Sequence, residues 1–346
     1  MEHLLDDRFL VVLGDLFTAV DWHALTRRAE EDGGLATLLV HRTDHAADSD
    51  LVVLADDDRV LEWQARGPER EHEAVPRRPP IANAGAGVFD CAILETIPRD
   101  RPSDLFGEIV RQRVDNRAPI FGYRSSEYIR DIGTPSRLEA VATDRRLGCT
   151  QRRADLVLLD RDGVLVEDPG IGPAPRSLRL LPGAADAVAE LNRAGCRVAV
   201  VTNQGGVARG LLTADELERL HDDLRRQLAA RGATLDAIYV CPHHPETYHG
   251  EGHPELRGPC TCRKPSPGLV ERALRELGAR AWRTAVVGDR TCDLQLAANA
   301  GLPGIAVATG AGCHDAAYPA RASWRTADLP AAARWLSGST GDERVG

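Results

Sequence analysis

Asp160 and Asp162 stand two positions apart, behind four apolar residues (Leu156 to Leu159) and ahead of Gly163. A short apolar run bounded by turn residues reads as a strand buried on both faces, the kind found in parallel sheets. Open α/β sheets bind ligands at the carboxyl ends of their strands, so this strand offers two carboxylates to whatever binds there. Taken alone, D-x-D-G reads equally well as an acidic turn. A second group carries different chemistry: Cys241-Pro-His243-His244-Pro, then Cys260-Thr-Cys262-Arg-Lys. C-x-H followed by C-x-C supplies three thiols and one imidazole, a closed tetrahedral set suited to structural Zn²⁺. His244, His249 and His253 compete for the nitrogen position, and the spacing favours His243. Metal binding would order a loop, 241–262, that has no apolar core of its own, so its binding energy is folding energy.

The elements that must position these residues alternate from Leu156 onward. Apolar strands at 156–159, 198–202, 237–241, 284–288 and 305–309 are separated by helical stretches at Ala184 to Arg193, Asp215 to Ala230, Pro267 to Leu277 and up to Ala300. Thr213 and Glu216 form a capping box, Ser266-Pro267 reads as an N-cap with proline at the first helical position, and Gly301 suits a left-handed stop. Repeated βα units predict an α/β fold with a doubly wound parallel sheet. Such a sheet puts Asp160, Thr202-Asn203-Gln204, Cys241 and Asp289 on one rim, with Lys264 near it. Two carboxylates, a hydroxyl, amides and a lysine gathered on one rim are not expected by chance.

Four motifs in order, DRDGVL at 160–165, VTNQGGVARG at 201–210, CRKPSPG at 262–268 and VVGDRTCDLQLAANAG at 286–301, resemble those of the haloacid-dehalogenase superfamily of phosphatases, with a Rossmann-type sheet. The resemblance covers about 155 to 335. It implies that Asp160 attacks phosphorus to form an aspartyl phosphate, while Asp162 protonates the leaving sugar oxygen and then activates water. Carboxylates beside a dianionic phosphate require Mg²⁺, assigned to Asp160, Asp289 and the backbone carbonyl of Asp162. Thr202, Asn203 and Lys264 would clamp the phosphoryl oxygens, Gly163 would leave room for substrate, and Asp293 would support the metal from behind its ligands.

Within that superfamily, the cysteine insert together with VTNQGGVARG resembles the D-glycero-D-manno-heptose 1,7-bisphosphate phosphatases of nucleotide-heptose biosynthesis. Histidinol-phosphate phosphatases share the zinc loop and are the alternative; the turn Gly205 to Gly210 looks like that of the heptose enzymes. The resemblance implies substrate contacts at Asp168, Pro169, Gly170, Ile171, Thr202, Asn203, Gln204, Gly205, Arg263, Lys264 and Arg290. Arg290 stands where the heptose family has lysine, which turns a point cation into a fork.

The first half, 1–143, resembles the sugar-1-phosphate nucleotidyltransferases through VVLGD at 11–15, NAG at 83–85 and YIRDIGTPSRLEA at 128–140. In that family the acids matching Asp15 and Asp131 hold the magnesium of the nucleoside triphosphate, and the Asn-Ala-Gly turn faces the sugar. The family's opening glycine-rich phosphate loop and its Glu-Lys-Pro are missing, so this half reads as a partial α/β domain. A bifunctional chain with heptose-1-phosphate nucleotidyltransferase activity is the further alternative. A truncated sheet is expected to expose an apolar edge. Residues 144–153 read as a linker and 154–340 as the phosphatase domain.

A length of 346 residues suits two domains. A net charge of −9 without a dense Lys/Arg run argues against nucleic acid as a partner. No apolar stretch is long enough to span a bilayer, and the acidic start is unlike a secretory signal. Eight cysteines in such a chain suggest metal ligands or free thiols, and the expectation is a cytoplasmic enzyme acting on a small sugar phosphate. A homo-oligomer, or a pathway enzyme held by the first half, is the expected partner.

Overall fold

The computed structural model describes residues 7–43, 46–67, 79–168, 170, 175, 177–245 and 252–338. The chain divides into two compact units, Met1–Thr150 and Gln151–Gly346.

The first unit contains β1 (Arg8–Val12), β2 (Leu16–Ala19), α1 (Trp22–Asp32), β3 (Ala36–Arg42), β4 (Leu51–Leu54) and β5 (Val60–Gln64). It continues with β6 (Ile81–Asp90), α2 (Arg111–Asp115), β7 (Ile120–Arg124), β8 (Tyr128–Asp131) and α3 (Pro135–Arg146). Its main sheet runs β5-β4-β6-β3-β7, with β1 also pairing β6, while β2 and β8 form a separate antiparallel pair. Phe9 and Val11 of β1 pack on the core. Leu10, Val12 and Leu13 are exposed. Asn83-Ala84-Gly85 lies inside β6, where Gly85 adopts φ +75° and lets the strand continue past the Leu13 side chain. The stretch 120–129 is split between two sheets. The basic stretch from Asp144, expected as linker, begins inside α3, where Arg145 and Arg146 occupy the last turn and suit its dipole.

The second unit contains β9 (Leu156–Leu159), α4 (Ala184–Arg193), β10 (Arg197–Asn203), α5 (Ala214–Ala229), β11 (Ala237–Cys241) and α6 (Gly268–Glu276). It closes with β12 (Thr284–Gly288), α7 (Thr291–Asn299), β13 (Gly304–Val307), β14 (Trp324–Thr326) and α8 (Leu329–Ser337). Its six strands are ordered β11-β10-β9-β12-β13-β14, and every pair is parallel. Successive residues of β9 serve opposite faces: Val157 and Leu159 pack with α4, α5 and α8, while Leu156 and Leu158 pack with α6 and α7. That is the doubly wound arrangement. Strand order grows outward from β9 on one side and restarts with β12 on the other. The β9/β12 boundary is therefore the switch point at which such sheets open a ligand crevice. The Thr213 capping box forms as expected. Ser266 does not cap α6, which starts at Gly268 after an uncapped Pro267; the Ser266 amide instead donates to Arg263 in the preceding turn.

Candidate active site

β9 and β12 are hydrogen-bonded neighbours, with Leu159 opposite Val287, so the residues that follow them meet at the switch point. Asp160 and Asp289 are delivered there, and Asp293 arrives from the first turn of α7. Asp160, Asp289 and Asp293 each offer an oxygen within 4.8 Å of the others'. All three are buried, and buried charge is tolerated only when paired or metal-bound. The Lys264 ammonium supplies one partner, 2.7 Å from Asp160 Oδ2 and 2.7 Å from Asp293 Oδ1. Burial alone would lower the lysine's pKa, but Asp160 and Asp293 outweigh it and raise the value. Burial pushes the Asp293 carboxyl up despite Lys264.

The three acids are not equivalent. Asp293 spends Oδ1 on Lys264 and accepts the Arg290 amide on Oδ2 at 3.1 Å. Asp289 accepts the Ala311 amide on Oδ2 at 2.7 Å, while its buried Oδ1 has no hydrogen-bond partner among the described residues. Burial, with the charge of Asp160 beside it, pushes Asp289 up to about 6. An orphaned carboxylate oxygen facing a second carboxylate is the donor set of a hard divalent cation, so these residues fit Mg²⁺. Gly163 and Gly310, both with positive φ, back onto the Asp289 carboxylate, and a Cβ at either would collide with it. The room expected for substrate at Gly163 is thus taken by Asp289.

Asp162 lies beside this cluster and is held by other groups. Arg161 forks onto it, Nε to Oδ1 at 2.9 Å and Nη2 to Oδ2 at 3.0 Å. Gln204 Nε2 donates to Asp162 Oδ2 and to Thr202 Oγ1, each at 2.8 Å. Burial raises the Asp162 pKa and the charge of Asp160 adds to the rise, against Arg161 and Gln204. A carboxyl held above its ordinary value is suited to donate a proton. Asn203, expected on the phosphoryl oxygens, is turned to the Lys264 backbone: its Oδ1 accepts Lys264 N at 3.0 Å and its Nδ2 donates to Lys264 O at 3.2 Å.

Cys241, His243, Cys260 and Cys262 converge within 4.8 Å, with all eight cysteines of the chain free. Sulfur–sulfur separations are 3.2, 3.5 and 3.7 Å, and His243 Nδ1 lies 3.3 Å from Cys262 Sγ and 3.7 Å from Cys241 Sγ. Tetrahedral Zn–S bonds of about 2.3 Å place sulfurs about 3.8 Å apart, so the donor set and its size fit zinc. The loop carrying this cluster is stitched to the 204–210 turn: Gln204 N donates to Cys241 O, Ala208 N to Pro242 O and His253 N to Ala208 O. Arg263 Nη1 reaches His243 O at 2.9 Å beside Gly205. The competing His249 falls outside the described residues; His244 instead lies 2.8 Å from Arg209 Nη2.

Of the expected substrate contacts, Asp168 and Arg290 are joined as an ion pair, Nη2 to Oδ2 at 3.0 Å, and Gly170 donates its amide to Asp168 Oδ1. Pro169 and Ile171 fall outside the described residues. Sequence reasoning missed Arg161, His221 and the segment after β13, from which Thr309 Oγ1 donates to Gly163 O. The last was legible in principle, since β13 also ends on the rim. In the first unit, Asp15 and Asp131 are both within 4 Å of a Cβ placed at Gly133, but Asp131 is already paired with Arg137 at 2.7 Å.

Residues 261–332 match the HAD-hydrolase-like family model. The D-glycero-beta-D-manno-heptose-1,7-bisphosphate 7-phosphatase of Bordetella bronchiseptica is 39% identical over 158 residues, covering 45% of this chain and 82% of that protein. The crystal structure of D,D-heptose 1,7-bisphosphate phosphatase from the same organism, with magnesium and phosphate, is 35% identical; the match covers 54% of this chain and 99% of that one, with a TM-score of 0.47. For the first unit, a candidate glucose-1-phosphate thymidylyltransferase of Bacillus anthracis, solved with sucrose, is 18% identical with a TM-score of 0.34, covering 42% of this chain and 57% of that one.

Proposed function

The chain belongs to the HAD-like family of D-glycero-D-manno-heptose-1,7-bisphosphate 7-phosphatases, and from that premise we propose that its second unit removes the C7 phosphate of heptose 1,7-bisphosphate in heptose biosynthesis. One observation carries the reading: the buried Asp160–Lys264–Asp293 cluster at the switch point, with the partnerless Asp289 oxygen beside it.

Asp160 attacks phosphorus through a carboxylate oxygen, the P–O bond to C7 breaks, and Asp162 gives its proton to the departing sugar oxygen. An aspartyl phosphate results. Asp162 then takes a proton from water, whose oxygen attacks phosphorus and releases Asp160 and inorganic phosphate. Lys264 balances charge on Asp160 throughout, and Asn203 holds the lysine's backbone in place. Mg²⁺ would be held by Asp160, Asp289 and the Asp162 carbonyl, and when bound it supplies charge neutralisation for the phosphate. Thr202, Gln204, Gly205, Arg263 and the Asp168–Arg290 pair form the substrate side.

Zn²⁺ held by Cys241, His243, Cys260 and Cys262 would fix the loop from which Arg263 and Lys264 project. The eight cysteines stand outside disulfides, three of them in the proposed zinc set, and this supports a reducing, cytoplasmic setting. The first unit, with its exposed Leu10, Val12 and Leu13, is proposed as an assembly module, to be checked by the oligomeric state of the chain with lysine at these positions.

Phosphate release from heptose 1,7-bisphosphate with Mg²⁺, by wild type and by Asp160→Asn, tests the reading. Release by the wild type alone is expected. No release by folded, metal-loaded protein overturns the substrate, and turnover of histidinol phosphate instead would restore that alternative, which the relatives do not favour.

A further inference from the structure

α5 presents Leu217, Leu220, Leu224 and Leu228 to the core at helical spacing, and His221 shares that buried face. At 1% exposure, a leucine would fill the same space without a polar atom to satisfy. The reason for a histidine lies across the core. Arg161 is buried too, and its fork onto Asp162 uses Nε and Nη2, leaving Nη1. Nη1 lies 3.2 Å from His221 Nε2.

A guanidinium has no acceptor, so Nε2 must accept and the ring proton must sit on Nδ1, which lies 3.9 Å from Glu218 Oε2. The imidazole is therefore neutral in the fold. Burial and the facing Arg161 agree with this, pushing its pKa down to about 4. With His221 in place, Nη1 also has an acceptor, so the guanidinium is held from both sides, by the fork onto Asp162 and by the imidazole. The Asp162 carboxylate plane is then set by Arg161 on one flank and Gln204 on the other.

We propose that His221 is a positioning residue for phosphate-ester cleavage, acting through Arg161 to aim the Asp162 carboxyl at the leaving oxygen. This rests on the reading of Asp162 as the acid. The consequence is specific: losing His221 should hurt substrates in proportion to their need for a proton. A sugar alkoxide needs one, whereas 2,4-dinitrophenolate leaves without it.

The experiment measures kcat/KM, which reports steps through aspartyl-phosphate formation, on heptose 1,7-bisphosphate and on 2,4-dinitrophenyl phosphate. Variants are His221→Leu, His221→Gln, His221→Asn and Asp162→Asn, each first checked for a wild-type thermal transition. Outer-shell partners of this kind contribute about 10–100-fold, and that loss is expected for His221→Leu on the sugar phosphate, with little on the aryl phosphate. His221→Gln, whose oxygen reaches near the Nε2 position, should restore most of it. If His221→Leu does not fold, His221→Asn, whose oxygen falls short of Arg161, should show the same selective loss against His221→Gln. Equal losses on both substrates, or no rescue by glutamine, overturn the inference. If Asp162→Asn shows the leaving-group dependence and the His221 variants do not, only the inference falls. If Asp162→Asn also loses both substrates equally, the reading of Asp162 as the acid falls, and the inference with it.

Discussion

Each unit brings aspartates of the sequence motifs together, three in the second and two in the first, yet the two clusters are built differently. In the second unit Asp160, Asp289 and Asp293 are buried; Asp160 and Asp293 share one buried lysine, and one Asp289 oxygen has no hydrogen-bond partner among the described residues. In the first, Asp131 is exposed and already matched by an equally exposed Arg137. Proximity of carboxylates is common to both; burial and an unmet demand for positive charge are not. Low dielectric makes each unpaired charge expensive, so the second cluster must recruit a cation, whereas water and one arginine suffice for the first. A motif marks where acids gather, and the surroundings decide whether they become a site.

Substitutions at the two sites test this contrast most directly. Asp289→Ala is expected to cut kcat/KM by at least about 10²–10³-fold with Mg²⁺ present, a loss of charge stabilisation at the reacting phosphate. Asp15→Asn combined with Asp131→Asn should leave phosphate release unchanged. Phosphatase assays on the three proteins decide; a comparable loss in the double variant would erase the distinction. Next in size is the metal loop. Cys262→Ser removes one thiol of the proposed zinc set; elemental analysis should find zinc in the wild type and not in the variant, and kcat/KM should fall by about 10–100-fold, because Arg263 and Lys264 follow directly. Retained activity with zinc absent would mean that Asn203, Asp160 and Asp293 place the lysine without the metal.

A smaller effect separates buried from exposed acids by pH. The folded-state pKa of Asp289 is raised from 3.8 to about 6. In metal-free protein its contribution to stability is thus fully present below 3.8 and lost as pH rises through about 6. Mg²⁺ relieves that loss, so the rise in Tm on adding Mg²⁺ should grow between about pH 5 and 7. A Mg²⁺ effect flat across that range would argue against Asp289 as a ligand.

Much of this contrast was readable beforehand, because its backbone is local. Leu156 to Leu159 announces a strand buried on both faces, Thr213 and Glu216 announce a helix start, and the strand ends announce the rim. What could not be read depends on contacts across long sequence separations. Asn203 turns to the Lys264 backbone 61 residues away, and Gly163 is shaped by Asp289 rather than by substrate. His221 sits at a core position of α5 and reads as packing until Arg161, 60 residues distant, is seen against it. β14 and α8 escaped notice because three strand residues carry little periodicity; they are joined by the stacked rings of Trp324 and Trp335, 5.4 Å apart.

The smallest expected effect sharpens the comparison furthest, because it uses the same charge types in both places. Lys264→Met strands two buried carboxylates, and removing one partner of a buried pair costs about 3–5 kcal/mol. Arg137→Ala breaks an ion pair of nearly the same length, 2.7 Å, with both side chains 45% exposed. Exposed pairs contribute about 0–1 kcal/mol, so this variant should unfold at nearly the wild-type denaturant midpoint and hydrolyse phosphate at the wild-type rate. Equal distance with unequal consequence would show that solvent, not geometry, sets the worth of the two pairs. A large loss on Arg137→Ala would instead mean that Asp131 depends on its arginine as Asp160 depends on its lysine, and that the first unit keeps a charge-demanding site of its own.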